Sequence, residues 1–260
     1  MPNHLIIGDP HAHYNFDNDR FTIAGRFVVD RRPDVVICMG DWADMASLSH
    51  YDKGKLSYEG RAYQRDIEAA IDAQEKFFAP IRAHNRRARR QTRLNIRFVM
   101  IMGNHDQARI EREVEENPGL RGKLSIDDLR YREYGWEVYP FLQPAIIDTI
   151  AYCHYFVSGV ASRPISGESI ARTLCNKLHA SSVVGHSHLY DHAERAIING
   201  KKIFGLSAGC FVHPGYIENW NRATEYLWWR GIVELIEIDG AGYYDQIRAT
   251  TLRKLIREYA

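Results

Sequence analysis

The 260-residue sequence contains no uninterrupted apolar run close to the roughly 20 residues that a membrane-spanning helix needs. The residues that follow Met1 do not form a charged segment and then an apolar segment, so we expect no secretory signal. Cysteine is scarce, and the four thiols show no Cys-x-x-Cys spacing, which argues against a disulfide framework and favours a reducing, cytoplasmic compartment. Charge of one sign is not in excess either, since the formal net charge is only +1. The overall charge therefore predicts neither nucleic-acid nor membrane binding.

What is present is an ordinary globular composition, with 45% hydrophobic and 26% charged residues. A chain of this length can bury a substantial core, so we expect one large domain or a core with an insertion. Four short apolar runs, each rich in branched residues and followed by glycine, predict buried strands at residues 5–7, 35–39, 98–102 and 182–184.

The remaining periodicity predicts helices first and mostly strands later. Residues 22–32 predict a crossover helix, and residues 46–93 predict a loop at 47–60 followed by one long amphipathic helix, or two helices broken near Pro80. Asn199-Gly200 predicts a two-residue hairpin turn. Beyond residue 134 a helix is predicted at 165–179, and strands at 136–139, 145–150, 152–157, 182–185, 193–198, 202–206, 231–238 and 243–249.

Segments rich in potential metal ligands follow apolar runs at five places: residues 8–11, 40–44, 103–106, 153–155 and 185–188. They supply carboxylates, imidazoles and one amide, which is the donor set that a pair of divalent cations needs. Side chains at the ends of several buried strands converge on one edge of a sheet, where open α/β sheets bind their ligands. We therefore expect a two-cation site at such an edge.

Taken in order, these segments resemble the motifs of the calcineurin-like metallophosphoesterase superfamily, which read D-x-H, G-D-x-x-D, G-N-H-[DE], a single His and G-H-x-H. The resemblance extends from Asp9 to His188, most of the chain. Each motif arises easily by chance, whereas five in order, each after a predicted strand, make a strong signal. The resemblance implies an α/β fold, a four-layer αββα sandwich of two packed mixed sheets flanked by helices. It also implies a single metallophosphoesterase domain over residues 1–260, with a helical insertion at about 46–93.

The resemblance further implies the ligands of two divalent cations, with Asp41 bridging the pair. Asp9, His11, Asp41 and His188 match the ligands of the first cation, and Asp41, Asn104, His154 and His186 match those of the second. His154 rests on a motif of one residue, preceded by Cys153 where the family often has glycine. The donor set suits Mn or Fe and is compatible with Zn or Ni.

Two residues match the family's catalytic groups. His105 matches the histidine that protonates the leaving oxygen or binds a phosphate oxygen, and Asp44 matches the carboxylate that orients it. Asp106 is the rival for the orienting role and otherwise caps the following helix. Arg109 either reaches a phosphate or is a surface helix arginine, while His13 either touches substrate or supports the ligands.

The implied activity is metal-dependent phosphoester hydrolysis, in which a hydroxide that bridges the two cations attacks phosphorus. The shared motifs do not identify the substrate. Six arginines within residues 82–93 either contact a nucleic-acid backbone or form a solvated helix end. Aromatic residues near the C-terminus either stack bases or pack a subdomain or subunit contact. They are Tyr216, Trp220, Tyr226, Trp228 and Trp229.

Together these features favour phosphodiesters of nucleic acids or nucleotides as substrates. One alternative is a phosphomonoesterase that acts on phosphoproteins or small nucleotides. Another is a catalytically silent binding module of the same fold, against which the intact ligand set argues. We expect no membrane partner, and the sequence leaves the oligomeric state open.

Overall fold

The structure, a computed structural model, describes residues 1–160, 162–217 and 223–260, so Trp220 lies outside the described residues. Its strands are β1 His4–Ile7, β2 Val35–Cys38, β3 Arg97–Ile101, β4 Glu137–Tyr139, β5 Ala145–Ile147, β6 Ile150–Tyr152, β7 Val157–Ser158, β8 Arg163–Pro164, β9 Ser182–Val184, β10 Tyr190–Ala196, β11 Lys202–Ala208, β12 Gly231–Ile238 and β13 Tyr244–Thr251. Its α-helices are α1 Asp19–Arg31, α2 Tyr63–Arg87, α3 Arg109–Glu116, α4 Tyr131–Tyr134, α5 Ile170–Leu178 and α6 Leu252–Tyr259. None of the helices within these residues combines the length and the hydropathy that a membrane span requires.

Two mixed sheets form the centre of the fold. The first has the strand order β13-β12-β1-β2-β3-β4, in which β1 to β4 are parallel, β12 runs antiparallel to β1, and β13 runs antiparallel to β12. The second has the order β10-β11-β9-β6-β5, with β9 parallel to both β11 and β6. β7 and β8 pair separately as a short ribbon.

Buried apolar side chains hold these sheets and the helices together in four layers. One face of the first sheet packs against α1, α2 and α6, through side chains such as Leu5, Phe27 and Phe77. The other face packs against the second sheet, through side chains such as Ile37 and Phe204. α5 covers the outer face of the second sheet. The predicted αββα sandwich is therefore confirmed, while its division into one domain with an insertion at 46–93 stays a prediction.

Helix α2 runs unbroken from Tyr63 to Arg87, although Pro80 lies within it. Of the two alternatives for this segment, the single long helix is therefore the one found. Phe77 before the proline and Ile81 after it are buried in the same core. Packing on both sides of Pro80 thus stabilises the helix against the loss of one backbone hydrogen bond.

The turn at Asn199-Gly200 joins β10 to β11, but the prediction of a two-residue turn is wrong. The Ile197 N–H donates to the Lys201 carbonyl at 2.8 Å, so three residues lie between the closing pair. Gly200 has a left-handed backbone with φ of +72°, which a three-residue hairpin loop requires at this position.

A substitution at Gly25 on α1 tests the close contact between α1 and α2. A Cβ atom at this position would lie 2.2 Å from the Phe77 carbonyl oxygen of α2. Gly25→Ala should therefore lower the free energy of unfolding by about 1–3 kcal/mol, although alanine favours helix, because the two backbones would have to separate. Chemical denaturation measures the difference.

Gly119→Ala is the matched control, since no atom lies within 4 Å of the added Cβ there. Its stability should stay within about 0.5 kcal/mol of the wild type. Equal stability of the two variants would contradict the close packing of the helices at Gly25.

Candidate metal centre

All seven predicted ligand residues lie just beyond strand ends, on one edge that the two sheets share. Asp9 and His11 follow β1, Asp41 follows β2, Asn104 follows β3, His154 follows β6, and His186 and His188 follow β9. Parallel strands place their carboxyl ends side by side, and the packing of one sheet on the other brings both sets together.

Four of these residues have a left-handed backbone. The φ angle is +44° at His11, +51° at Asp41, +65° at His186 and +60° at His188. For residues other than glycine such conformations cost about 1–3 kcal/mol each, and they persist where the surrounding structure imposes them, as at functional sites. The turns at His186 and His188 also remove the alternation that would place them on opposite faces of a continuing strand.

Asp9, His11 and His188 form a buried cluster whose ligand atoms all lie within 4.8 Å of one another. His188 Nε2 is 3.3 Å from Asp9 Oδ2. Both carboxylate oxygens of Asp9 are buried, and neither accepts a hydrogen bond from the described part of the chain. A buried carboxylate in this state is destabilising unless a cation binds it, so the cluster fits a divalent cation.

Asp41, His154 and His186 form a second cluster, with the same 4.8 Å limit between their ligand atoms. His154 Nε2 lies 3.3 Å from Asp41 Oδ2. Asn104 belongs to the same group, because its Oδ1 is 2.9 Å from His154 Nε2. This set of one carboxylate, one amide and two imidazoles also fits a divalent cation.

His154, which rests on the shortest motif, lies in a loop. The strand predicted for residues 152–157 is wrong at this point, because β6 ends at Tyr152. His154 Nδ1 donates to the Met39 carbonyl at 2.7 Å. That hydrogen bond fixes the orientation of the ring and directs Nε2 towards Asp41 and Asn104.

Asp41 lies between the two clusters. Its Oδ2 is 3.3 Å from His154 Nε2 on one side and 3.9 Å from His11 Nε2 on the other. Its Oδ1 accepts the backbone N–H of His105 at 2.8 Å. This is where a carboxylate that bridges two cations would have to lie. The ligand role of each of the seven residues stays a prediction.

Burial and mutual contact set the charges of these groups when no cation is bound. Burial alone would raise the pKa of Asp41, but the adjacent His154 and His105 lower it well below its usual range. Burial alone would lower the pKa of His154, but Asp41 outweighs it and raises that pKa to about 9. Burial and the charge of His154 lower the pKa of His186 to about 4. At neutral pH, therefore, His154 holds an extra proton and His186 does not.

Asp44 accepts hydrogen bonds from three different segments of the chain. Its Oδ1 lies 3.0 Å from His11 Nδ1, 3.1 Å from His105 Nδ1 and 2.8 Å from the Tyr216 hydroxyl. Burial alone would raise the pKa of Asp44, but the bonds from His105 and His11 lower it well below its usual range. One carboxylate thus orients both a predicted metal ligand and the predicted proton donor.

Tyr216 was missed as a site residue. The sequence placed it among aromatic residues that stack bases or pack a subdomain, whereas the structure shows it in contact with Asp44. It is buried and packs beside Trp228. Apart from its place in an aromatic-rich segment, no sequence signal indicates this contact.

Arg109 is not a surface arginine, since its side chain is only 13% exposed. Its Nη1 donates to the Asp44 carbonyl at 2.7 Å and to the Met45 carbonyl at 3.2 Å. Its Nη2 lies 3.1 Å from His105 Nε2. Because a guanidinium can only donate, His105 Nε2 is the acceptor here, and the proton of this histidine is on Nδ1, facing Asp44.

Asp106 takes neither of the roles considered for it. It accepts the backbone N–H of Trp42 at 3.1 Å, the backbone N–H of Ala43 at 2.9 Å and the Tyr131 hydroxyl at 3.0 Å. It therefore fixes the loop after β2, and it neither orients His105 nor caps α3.

Residues 44–48 form a loop beside the metal centre, and Asp44 and Ala46 of this loop line a pocket. Each carbonyl of the loop accepts a side-chain hydrogen bond: Arg109 contacts the first two, Arg61 the third, Tyr58 the fourth and Arg112 the fifth. The pocket has a volume of about 80 Å³, and its lining includes His13, Ser49, Asp52, Arg61, Arg109 and Tyr216. His13 thus lies beside the site, with its Nε2 3.7 Å from Asp44 Oδ2.

The arginines of residues 82–93 lie at the opposite end of α2 from this pocket. The last turn of α2 leads to the start of β3, whose other end carries Asn104. The 25 residues of α2 span about 37 Å. Arg86, Arg87, Arg89 and Arg90 are exposed, and their guanidinium groups form no ion pair with any residue that the structure describes.

Comparison with known proteins identifies one family. The model of the calcineurin-like phosphoesterase family matches residues 3–231, a range that includes all five motifs. One crystal structure is 12% identical over 97% of this chain and 100% of the other chain, with a TM-score of 0.40, a likeness too distant to indicate an activity. No curated protein matches the chain significantly.

Cation binding should release about one proton from the site near neutral pH. His154 has to lose its extra proton to act as a ligand, and its pKa of about 9 means that this proton is present at pH 7. The apparent affinity for Mn²⁺ should rise about tenfold per pH unit up to about pH 9 and then level off. Calorimetric titration in buffers of different ionisation enthalpy counts the protons.

His154→Ala should bind Mn²⁺ more weakly and lose this pH dependence. His84→Ala, far along α2 near the arginines, should bind as the wild type does. A wild-type affinity that stays flat from neutral to alkaline pH would contradict the protonation assigned to His154.

Proposed function

The chain belongs to the calcineurin-like phosphoesterase family, and from this premise we propose that it hydrolyses phosphodiesters of nucleic acids or nucleotides with two bound divalent cations. The family consists of metal-dependent phosphoester hydrolases. The observation that carries the proposal is the pair of His/Asp clusters on either side of Asp41. Asp9 adds to it, because its two buried oxygens accept no hydrogen bond from the described residues.

We assign the first cation to Asp9, His11, Asp41 and His188, and the second to Asp41, Asn104, His154 and His186. Mn²⁺ or iron suits this donor set, and Zn²⁺ or Ni²⁺ is compatible with it. Bound cations supply Lewis-acid polarisation of the phosphoryl group and activation of water.

The chain itself contributes a proton donor for the leaving group, His105. His105 Nε2 lies 3.9 Å from Asp41 Oδ2, at the edge of the metal centre. Asp44 holds His105 Nδ1, so a second proton taken up by the ring resides on Nε2. From there it can pass to the leaving oxygen as the phosphoester bond breaks.

Loss of His105 should reduce turnover without removing metal. His105→Ala should lower kcat by about 10²–10⁴, because the leaving oxygen no longer receives a proton in the transition state. The loss should be smaller for bis-p-nitrophenyl phosphate, whose leaving group needs little protonation. Steady-state kinetics and elemental analysis of the loaded variant measure the two effects.

The geometry also allows a second role for His105, that of a metal ligand, which the same experiment can detect. His105 also lies within 4.8 Å of ligand atoms of His11 and Asp41. A variant that loses one equivalent of metal would make His105 a ligand and would contradict its assignment as proton donor.

The exposed arginines support a polyanionic substrate, and they lie on the segment that leads to the start of β3, whose other end leads to Asn104. The five residues of β3 span about 17 Å, which is the length of about five base pairs of duplex DNA at roughly 3.4 Å each. We therefore propose that a nucleic acid long enough to contact Arg86, Arg87, Arg89 and Arg90 can also reach the metal centre, whereas a dinucleotide cannot span the two.

Replacement of these four arginines by glutamine should weaken binding of long oligonucleotides only. For each phosphate that an arginine no longer neutralises, the slope of log K against log salt concentration should flatten by about 0.7–0.9. Binding of a dinucleotide and hydrolysis of bis-p-nitrophenyl phosphate should not change, because the metal centre is untouched. Fluorescence anisotropy at several salt concentrations measures the slopes.

Arg253→Gln/Arg257→Gln, on the exposed side of α6, is the charge control and should leave the slopes unchanged. An unchanged slope for the quadruple variant would make residues 82–93 an ordinary solvated helix end. In that case a panel of phosphomonoesters, cyclic nucleotides and a phosphopeptide would decide the substrate class. A loaded protein that hydrolyses none of these would be a silent module.

A further inference from the structure

Arg109 is held in place by the loop that also carries Asp44. Two of its N–H groups, on Nη1, donate to the carbonyls of Asp44 and Met45. The residue begins α3, directly after a π-helical turn at Asn104–Ala108. This wider turn carries His105, and Arg109 follows it with Nη2 3.1 Å from His105 Nε2. Single π-helical turns of this kind occur frequently at functional sites.

The charge of Arg109 is poorly balanced by its surroundings. Among the described residues, the nearest carboxylate oxygen is Asp44 Oδ1, 4.0 Å from Nη1. That oxygen already accepts bonds from His11, His105 and Tyr216. Arg61, which lines the same pocket, differs in this respect because Asp52 lies 3.0 Å from it.

Two of the five N–H groups of Arg109 donate to none of the described residues. A guanidinium carries five N–H groups, and the bonds described account for two on Nη1 and one on Nη2. The Nε–H and the second Nη2–H donate to none of the described residues. Nη2 lies 3.1 Å from His105 Nε2, which is itself at the edge of the metal centre. Once Nε2 of His105 also carries a proton, donors of both residues can reach one acceptor placed between them.

We infer that Arg109 binds a phosphoryl oxygen of the substrate, together with His105, at the point where the pocket meets the metal centre. This inference rests on the proposed function and specifies how the phosphoryl group is held. A phosphoryl oxygen supplies the anionic acceptor that Arg109 lacks, and charge-assisted bonds from a guanidinium to phosphate are short and strong. When the phosphoryl oxygen accepts the hydrogen bond from Arg109 Nη2, Arg109 would no longer donate that bond to His105 Nε2.

Binding of inorganic phosphate to the Mn²⁺-loaded protein tests this contact without turnover. Arg109→Gln should weaken phosphate binding about 10- to 100-fold in calorimetry, since one charge-assisted hydrogen bond is removed. Arg109→Lys should recover part of this affinity, because it keeps the charge but not the planar fork. The kcat/KM of a phosphodiester substrate should fall in the same order.

Arg112→Gln is the matched control, because Arg112 lies one turn further along α3, donates to the Leu48 carbonyl of the same loop and pairs with Glu116 at 3.9 Å. It should bind phosphate as the wild type does. The inference is overturned if Arg109→Gln binds phosphate with wild-type affinity, or if Arg112→Gln weakens binding equally, since loop support alone would then explain both. Absence of phosphate binding in the wild type overturns it too. If phosphate binds through Arg109 but no phosphoester is hydrolysed, the proposed function fails while the anion site stands.

Discussion

Asp44 ties together three segments that are distant in the sequence, and the geometry of the centre depends on the hydrogen bonds of its Oδ1. These bonds come from His11 after β1, His105 after β3 and Tyr216 beyond β11. A buried carboxylate is tolerated only when such partners compensate its lost hydration. Because two of the partners are a predicted metal ligand and the predicted proton donor, the same bonds compensate Asp44 and orient the candidate site.

The strained backbone at four predicted ligands is likewise maintained by the structure around it. Left-handed conformations at His11, Asp41, His186 and His188 disfavour folding locally. The surrounding strands and cores keep these turns in place, since the strands just before them are fully buried. The sandwich thus supplies the stability that the centre itself lacks without cations.

How much could be predicted from the sequence depends on whether a residue is attached to a strand end. Asp9, Asp41 and Asn104 could be brought together from the pattern alone, because parallel buried strands share one edge. Arg109 and Tyr216 could not be placed, since their roles depend on which way a helix or loop turns in three dimensions. The fold shows the same division. Helix α6 was not predicted among the strands expected after residue 134, although its leucines pack into the core.

The saturated carbonyls of residues 44–48 have a consequence for how a ligand is selected. A loop whose oxygens already hold side-chain donors has little freedom left to lose, so binding beside it carries a small ordering entropy. Its carbonyls are engaged and the side chains that bind them are largely cationic, so this loop favours anionic groups over cationic ones. Discrimination among substrates then depends on the shape of a preorganised loop rather than on closure of the loop over the ligand.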